Sequence, residues 1–355
     1  MPYAEDPKQS KNNFILDPKI KLLRHYNRIK GITSGDFSPP VMVEVDVVEG
    51  YCNLDCAWCS QAKSRALKKR TYMKTETMIR LGSFSRSWGI KSWRIATDSE
   101  PTLHKNLDVL FQAGHENGID MGLTTNGVLL DRLKNLQYLT WLGISLDATQ
   151  AETWSRTKRS PKKNFFRILD NIRKIKDKFP DLDVTIKYHK WSSNGNFMAK
   201  NDFYPNFSQH STNRKFGSEN HDESVRENIS ESSELPELAS ELGVNYVLRD
   251  AFPIDFHKQY KFSKCFSTPL SGVFGADHRF HLCCDARNVF VLTDDYTRND
   301  WEELPSLWGT KKHKALIESI EPQKCLGCSK FKLCSVLENV VMNGNYTEDY
   351  QVNFI

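Results

Sequence analysis

Three cysteines, Cys52, Cys56 and Cys59, fall within the stretch Tyr51 to Ser60, Y-C-N-L-D-C-A-W-C-S. They follow the apolar run Val41–Val48, which reads as a strand, so they sit on the loop at its end. Thiolates spaced this closely on a loop can converge on one metal site, because a loop turns successive Cβ vectors inward as a strand cannot. Structural zinc sites come as a C-x2-C pair completed by a second Cys or His pair. Within about thirty residues of Cys59 no second pair follows. A cubane [4Fe–4S] cluster takes about four cysteines, so three leave one iron open to a ligand that is itself a cofactor or substrate.

Six more cysteines lie near the C-terminus: Cys265, Cys283, Cys284, Cys325, Cys328 and Cys334. Cys265, Cys283, Cys325 and Cys328 together supply the four thiolates of a second [4Fe–4S] cluster, with a four-thiolate zinc as the rival. That assignment leaves Cys284 and Cys334 spare. A spare buried cysteine is ordinarily a small hydrophobe; one at a reaction site can donate a hydrogen atom to a substrate radical, and Cys284, followed by Asp285, is the candidate.

The elements that must carry these residues alternate. Strands are expected at Val41–Val48, Ser92–Ala96, Asp120–Thr125, Leu142–Leu146, Asp183–Tyr188 and Asn245–Arg249. Helices are expected around Thr75–Ser85, Leu107–Asn117, Leu130–Tyr138, Phe165–Lys178 and Glu234–Leu242. Ahead of them a basic helix spans Ile20–Ile29, its apolar face formed by Ile20, Leu22, Leu23, Tyr26 and Ile29, and Pro39–Pro40 stops it. Six β–α repeats imply an α/β fold with a parallel sheet curled into a partial (β/α)6, TIM-like barrel, with chemistry at the C-terminal strand ends. After about residue 255 the rhythm stops. The expected domains are a helical extension over 1–40, a barrel over 41–252 and a small α+β auxiliary-cluster domain over 253–355. Residues 191–231, rich in Ser, Asn, Lys and Glu, are expected to form a flexible insertion or lid over the barrel mouth.

The C-x3-C-x2-C spacing with Trp58 before the last cysteine resembles the signature of the radical S-adenosylmethionine (SAM) enzymes. Three later strand ends are similar to that family's: Asp98-Ser-Glu-Pro101, where the family has Gly-Gly-Glu-Pro; Thr124-Thr-Asn-Gly127; and Ile144-Ser-Leu-Asp147. The resemblance covers roughly residues 40–250. It implies that Cys52, Cys56 and Cys59 hold a [4Fe–4S] cluster whose open iron binds SAM. It further implies that Trp58, Ser99, Glu100, Thr125, Asn126, Ser145 and Asp147 line the SAM site. Strand alternation puts Ser145 and Asp147 on one face. Lys158 and Arg159 are readable either as a partner for the SAM carboxylate or as a solvated charge pair. The C-terminal cysteines resemble the twitch domain, a shortened SPASM domain carrying an auxiliary cluster, in the version found in aminocyclitol dehydrogenases. Glu338 stands where the fuller SPASM pattern has another cysteine, and no cysteine follows Cys334.

The implied activity is reductive cleavage of SAM to a 5′-deoxyadenosyl radical, then hydrogen abstraction by an oxidoreductase or epimerase of natural-product type. The expected substrate is a carbohydrate, aminocyclitol or nucleoside-type small molecule, with a precursor peptide as the alternative. A non-catalytic electron-transfer iron–sulfur protein is the remaining class. An external one-electron reductant such as flavodoxin or ferredoxin is expected. With 355 residues, 39% hydrophobic, 26% charged and net charge +5, the chain has the composition of a soluble globular protein. No apolar run approaches the roughly 20 residues of a membrane span, the N-terminus does not read as a secretory signal, and the mild charge calls for no nucleic acid. Nine cysteines without such a signal suit a reducing, cytoplasmic setting, where thiols serve metals and not disulfides.

Overall fold

Strand alternation along a parallel sheet sorts this sequence into two faces, one apolar and one charged. The structure, a computed structural model, describes residues 20–57, 59, 65, 68–96, 98–190, 226–250, 260–325 and 328–342. In chain order, α1 (Tyr26–Ser34) leads to β1 (Met42–Val45), the short hairpin of β2 (Val48–Glu49) and β3 (Thr71–Tyr72), and α2 (Thr75–Trp88). Then come β4 (Ser92–Ile95), α3 (Leu107–Glu116), β5 (Asp120–Thr125), β6 (Trp141–Ser145), α4 (Ala151–Lys158) and α5 (Lys163–Lys178). β7 (Asp183–Lys190), α6 (Leu235–Glu241) and β8 (Asn245–Asp250) complete the β–α series. The C-terminal part adds β9 (Ser271–Phe274), β10 (Phe280–His281), β11 (Val291–Thr293), α7 (Glu303–Leu307), α8 (Lys311–Glu318) and α9 (Phe331–Val336).

The main sheet runs β11-β10-β9-β1-β4-β5-β6-β7-β8. Its run from β1 through β4 to β8 is parallel throughout, in the order expected of consecutive β–α units. β9 pairs parallel with the outer side of β1, and β10 and β11 continue antiparallel. The C-terminal cysteine region is therefore tied to the barrel through the sheet itself.

On the outer face Val43, Val45, Trp93, Ile95, Met121, Leu123, Leu142, Ile144, Val184 and Ile186 belong to one core cluster with the helices. The intervening positions, Glu44, Arg94, Thr124, Ser145 and Lys187, take the opposite face by strand alternation. Trp141 lies across this inner face, its indole N–H donating to Thr185 Oγ1 at 3.1 Å. A Cβ on Gly143 would come within 2.4 Å of that ring, so glycine is required there.

Several expectations are corrected. The run Val41–Val48 is not one strand: β1 stops at Val45, Asp46 N donates to Phe274 O, and β2 leaves to pair with β3. The cause is Asp46, a fully buried carboxylate held by Arg287. Residues 20–29 form a 3-10 turn over Ile20–His25 before α1 begins, and α1 runs on to Ser34, ending at Gly35 with φ 71°. Its buried residues are Ile29 and Ile32, while Leu23 and Tyr26 face solvent. The single helix expected near Leu130–Tyr138 is two 3-10 turns, Leu130–Arg132 and Leu136–Tyr138. α4 was not anticipated. Of the 191–231 segment only 226–231 is described; it is helical and packs on the β6–α4 turn, where Glu231 accepts from Thr149 N and Gln150 N. No helix among the described residues is long and apolar enough to cross a membrane.

Leu123 is fully buried on the outer face of β5. Truncation to alanine should cost about 2–5 kcal/mol in urea unfolding, whereas Tyr246→Ala on the exposed part of β8 should lie within about 0.5 kcal/mol of the parent. Equal effects would mean that the two faces are misassigned.

Candidate functional site

The three-cysteine loop leaves β2 through Gly50 (φ 74°), where a Cβ would meet Lys69 O at 2.8 Å. From there the loop is stitched to neighbouring strand ends. Tyr51 N donates to Ser99 Oγ at 3.1 Å beyond β4, Asn126 Nδ2 donates to Asn53 Oδ1 at 2.8 Å from the end of β5, and Ala57 N donates to Thr157 O at 2.8 Å on α4. Cys59 N turns back onto Cys56 O at 3.1 Å. The sulfurs already have donors: Leu54 N lies 3.5 Å from Cys52 Sγ, and Arg65 Nη1 lies 3.4 Å from Cys59 Sγ while also bonding Asp98 O.

Burial, aided by the charge of Glu100, pushes the Cys52 thiol up to about 12. Burial also raises Cys56, against the pull of the Lys158 ammonium. Buried thiols of this kind release their protons when a metal binds. Three half-buried thiols on one loop, with backbone and guanidinium donors beside them, suit the donor chemistry of an iron–sulfur cluster, of which Cys52, Cys56 and Cys59 would be the ligands.

The expected cofactor-lining residues come together in unequal ways. Glu100 is buried, and both carboxylate oxygens are engaged. Oε1 accepts from Thr102 N (3.1 Å), Thr102 Oγ1 (2.7 Å) and Thr125 Oγ1 (2.6 Å), and Oε2 accepts from Asn126 N (2.8 Å). It thereby fixes the Thr125–Asn126 turn. The two residues standing in place of glycines are tied in as well: Ser99 Oγ donates to Asp98 Oδ1, and Asp98 pairs with Lys68 at 2.7 Å. Trp58 lies outside the described residues.

Ser145 ends β6, but the chain does not continue as a strand. Asp147 has φ 61°, so alternation does not set its direction and the shared-face expectation for Ser145 and Asp147 fails. Instead Asp147 is buried, with Oδ2 2.5 Å from Lys158 Nζ and Oδ1 accepting from His189 N (2.9 Å) and His189 Nδ1 (3.0 Å). Burial alone would raise its pKa; Lys158 and then His189 outweigh that and hold the carboxyl well below the usual range. Lys158 is itself only 4% exposed, so the solvated reading is wrong for it, while Arg159 meets Asp55 at the surface.

The C-terminal cysteines also converge. Cys265, Cys283, Cys325 and Cys328 line one cavity with Ser267, Asp285 and Lys330. Four sulfurs on one small cavity fit the donor set of a second cluster, though a zinc would take the same set. Cys334 is fully buried beside them, 3.2 Å from Ser267 Oγ and in thiol hydrogen-bond contact with Cys265 and Cys328. Cys284 is buried but does not line that cavity, its Sγ lying 3.9 Å from Ser329 Oγ. Burial, then the charge of Asp285 and of Glu44 on the inner face of the barrel, raises its thiol to about 11. Arg287 bridges the two regions, pairing with Glu44 at 2.6 Å and with Asp46 at 2.7 Å while donating to Cys284 O. Glu49, Asp277 and His281 also approach one another at metal-ligand range. His281 Nδ1 accepts from Asn288 N at 3.2 Å, while its buried Nε2 makes no hydrogen bond among the described residues.

Reading the sequence missed Arg65, Lys68, His189, Lys187 and Lys330. A basic residue six positions after Cys59 was a usable signal for Arg65; the others acquire their setting only through long-range packing. Lys187 lies over the Trp141 ring at 4.3 Å and donates to Thr124 Oγ1 at 3.0 Å. Burial, with Arg94 and Arg249 nearby, lowers it to about 7. Removing one partner of the buried Asp147–Lys158 pair should be severe. Lys158→Ala is expected to lose about 3–5 kcal/mol in urea unfolding, against no more than about 1 kcal/mol for Arg159→Ala; a mild Lys158→Ala would refute the pairing.

Residues 48–189 match the family described as the Radical SAM superfamily. A GTP 3',8-cyclase of Staphylococcus saprophyticus is 33% identical over 111 residues, 28% of this chain and 32% of that protein. A SAM-dependent tRNA 4-demethylwyosine synthase of Methanocaldococcus jannaschii is 31% identical over 119 residues, 33% of this chain and 38% of that one. The alignments thus span well under half the length of these curated relatives. In fold, the chain is similar to Streptococcus suis SuiB bound to precursor peptide SuiA, with TM-score 0.54 and 14% identity over 93% of this chain and 80% of SuiB. It is similar too to anSMEcpe with bound AdoMet, with TM-score 0.50 and 14% identity over 84% of this chain and 88% of that one. These two likenesses concern the fold, and the sequence match supplies the rest. The segment from residue 48 to residue 189, which holds the three-cysteine loop and strands β4 to β6, is therefore similar to the radical SAM superfamily.

Proposed function

We propose that this chain is a radical SAM oxidoreductase or epimerase acting on a carbohydrate, aminocyclitol or nucleoside-type substrate in natural-product biosynthesis. The observation that carries the reading is the pairing of two thiol sites: three cysteines on a strand-end loop, and four more on one cavity beside the same sheet. The charged inner face between them, with Glu44, Arg94, Thr124 and Lys187, suits a polyhydroxylated or ionic ligand better than an aliphatic one. When bound, the first cluster and SAM would supply a 5′-deoxyadenosyl radical, and a twitch-like auxiliary cluster on Cys265, Cys283, Cys325 and Cys328 would supply a one-electron acceptor.

In this reading the protein's own residues position and exclude. Trp58, Ser99, Thr125, Asn126 and Ser145 line the SAM site. Glu100 and Asp147 belong to the same lining, and the bonds they already accept hold its walls in place. Cys284, close enough to Glu44 and Arg94 to interact with their charges, would be the hydrogen-atom donor to a substrate radical if the outcome is epimerisation. The reductant would be an external flavodoxin or ferredoxin in the cytoplasm. A second reading, modification of a precursor peptide, is favoured by β8, which is an edge strand of the sheet among the described residues and can add a peptide strand.

Iron content after anaerobic reconstitution tests the two-site arrangement. Wild type should hold about eight irons, and alanine replacement of either cysteine set should leave about four, assuming four per cluster. 5′-Deoxyadenosine formed from SAM and dithionite should vanish only with Cys52, Cys56 and Cys59. About four irons in the wild type, all lost with that first set, would remove the auxiliary cluster and with it the oxidation arm of the proposal.

A further inference from the structure

The auxiliary cavity is not lined by sulfur alone. Lys330 stands in its wall, on the turn between Cys328 and α9. Its stem is partly buried, and its ammonium donates to Ser271 Oγ at the start of β9 and makes no ion pair among the described residues. Burial works against its charge, and the groups near enough to act on it are the thiols Cys284 and Cys283, negative only when deprotonated, and the carboxylates Glu44 and Asp285. Asp285 is meanwhile turned toward Ser329, accepting from its N at 2.8 Å and from its Oγ at 2.6 Å. Glu44 is taken by Arg94 and Arg287 at 2.8 and 2.6 Å. The neighbouring carboxylates thus have partners of their own, and the cation shares its cavity with the four thiols.

A charge withdrawn from water and lacking a dedicated carboxylate is costly unless something else neutralises it. A four-thiolate iron–sulfur cluster is a net anion and becomes more anionic on reduction. A fixed cation at its edge therefore favours the reduced state and raises the potential, since net charge around a cluster is among the factors that set it.

We propose that Lys330 tunes the auxiliary cluster, raising its reduction potential so that it can accept the electron given up by a substrate radical. This rests on the two-cluster reading above and deepens it: it makes the second site a built electron acceptor and the expected reaction an oxidation. In the transfer itself one electron would leave a hydroxyl-bearing substrate radical for the cluster while the O–H proton leaves to water, forming the carbonyl. Lys330 stays protonated and acts only by position, so it is a positioning residue and not a catalytic one.

The test is a potentiometric titration, followed by EPR, of the reconstituted full chain and of Lys330→Met, Lys330→Gln and Lys330→Arg, with iron counted in each. The neutral variants should keep about eight irons. Their auxiliary signal should move to lower potential by at least a tenfold change in the reduction equilibrium, about 59 mV for a one-electron couple. Lys330→Arg should stay near wild type, and the signal of the cluster on Cys52, Cys56 and Cys59 should not move. An unchanged auxiliary potential in both neutral variants would overturn the proposal. Loss of the auxiliary irons in both would overturn it too, making Lys330 a residue needed to assemble the cluster. A wild type with a single cluster would be recognised from its iron count alone and would sink the underlying reading and this inference together.

Discussion

The buried carboxylate of Glu100 is the interaction on which the first site depends. It accepts from two positions on its own turn and from Thr125 and Asn126 at the end of β5. Asn126 in turn reaches Asn53 within the cysteine loop. A loop carrying three thiols has no secondary structure of its own to hold its shape. Here its geometry is borrowed from the strand ends that Glu100 locks together, and from Thr157 on α4. Four hydrogen bonds offset the desolvation that raises this carboxyl, which is why a buried acid is tolerated at the centre of the site.

Charge is handled the same way across the inner face of the sheet. Glu44 meets Arg94 and Arg287, Asp46 meets Arg287, Asp98 meets Lys68, and Asp147 meets Lys158 and His189. Pairing by pairing, these groups fix where the chain turns. Arg287 is the most far-reaching, because it joins the second residue after the C-terminal pair Cys284–Asp285 to β1, some 240 positions earlier in the chain. With β9 alongside β1, this ties the auxiliary cysteines to the barrel and brings Cys284 within reach of its charged interior.

Much of this was legible in the sequence. Runs such as Asp120–Thr125 and Asp183–Tyr188 place the parallel strands because outer-face residues alternate with inner-face ones, and both cysteine groups announce themselves by spacing. What could not be read depends on partners remote in sequence. Asp46 interrupts an apolar run, yet nothing local says that it is buried on an arginine 241 residues away. Lys158 reads either as a partner for the SAM carboxylate or as half of a solvated pair, and nothing local says that Asp147 takes a left-handed conformation and pairs with it. Cys334 reads as spare but sits against two of the four cavity cysteines. α4 escaped notice because Ala151–Lys158 is short and polar, with few apolar positions to mark a face.

The central claim is that the three-cysteine loop holds a cluster with one iron left open for SAM. The most direct measurement is electron–nuclear double resonance on the reduced, reconstituted chain given SAM labelled with 17O in its carboxylate and 15N in its amino group. The account predicts resolved couplings from both labels on the cluster that disappears when Cys52, Cys56 and Cys59 are replaced. Absence of either coupling, with SAM bound at full occupancy, would mean that SAM does not ligate the open iron, and the reading of the loop would have to be abandoned.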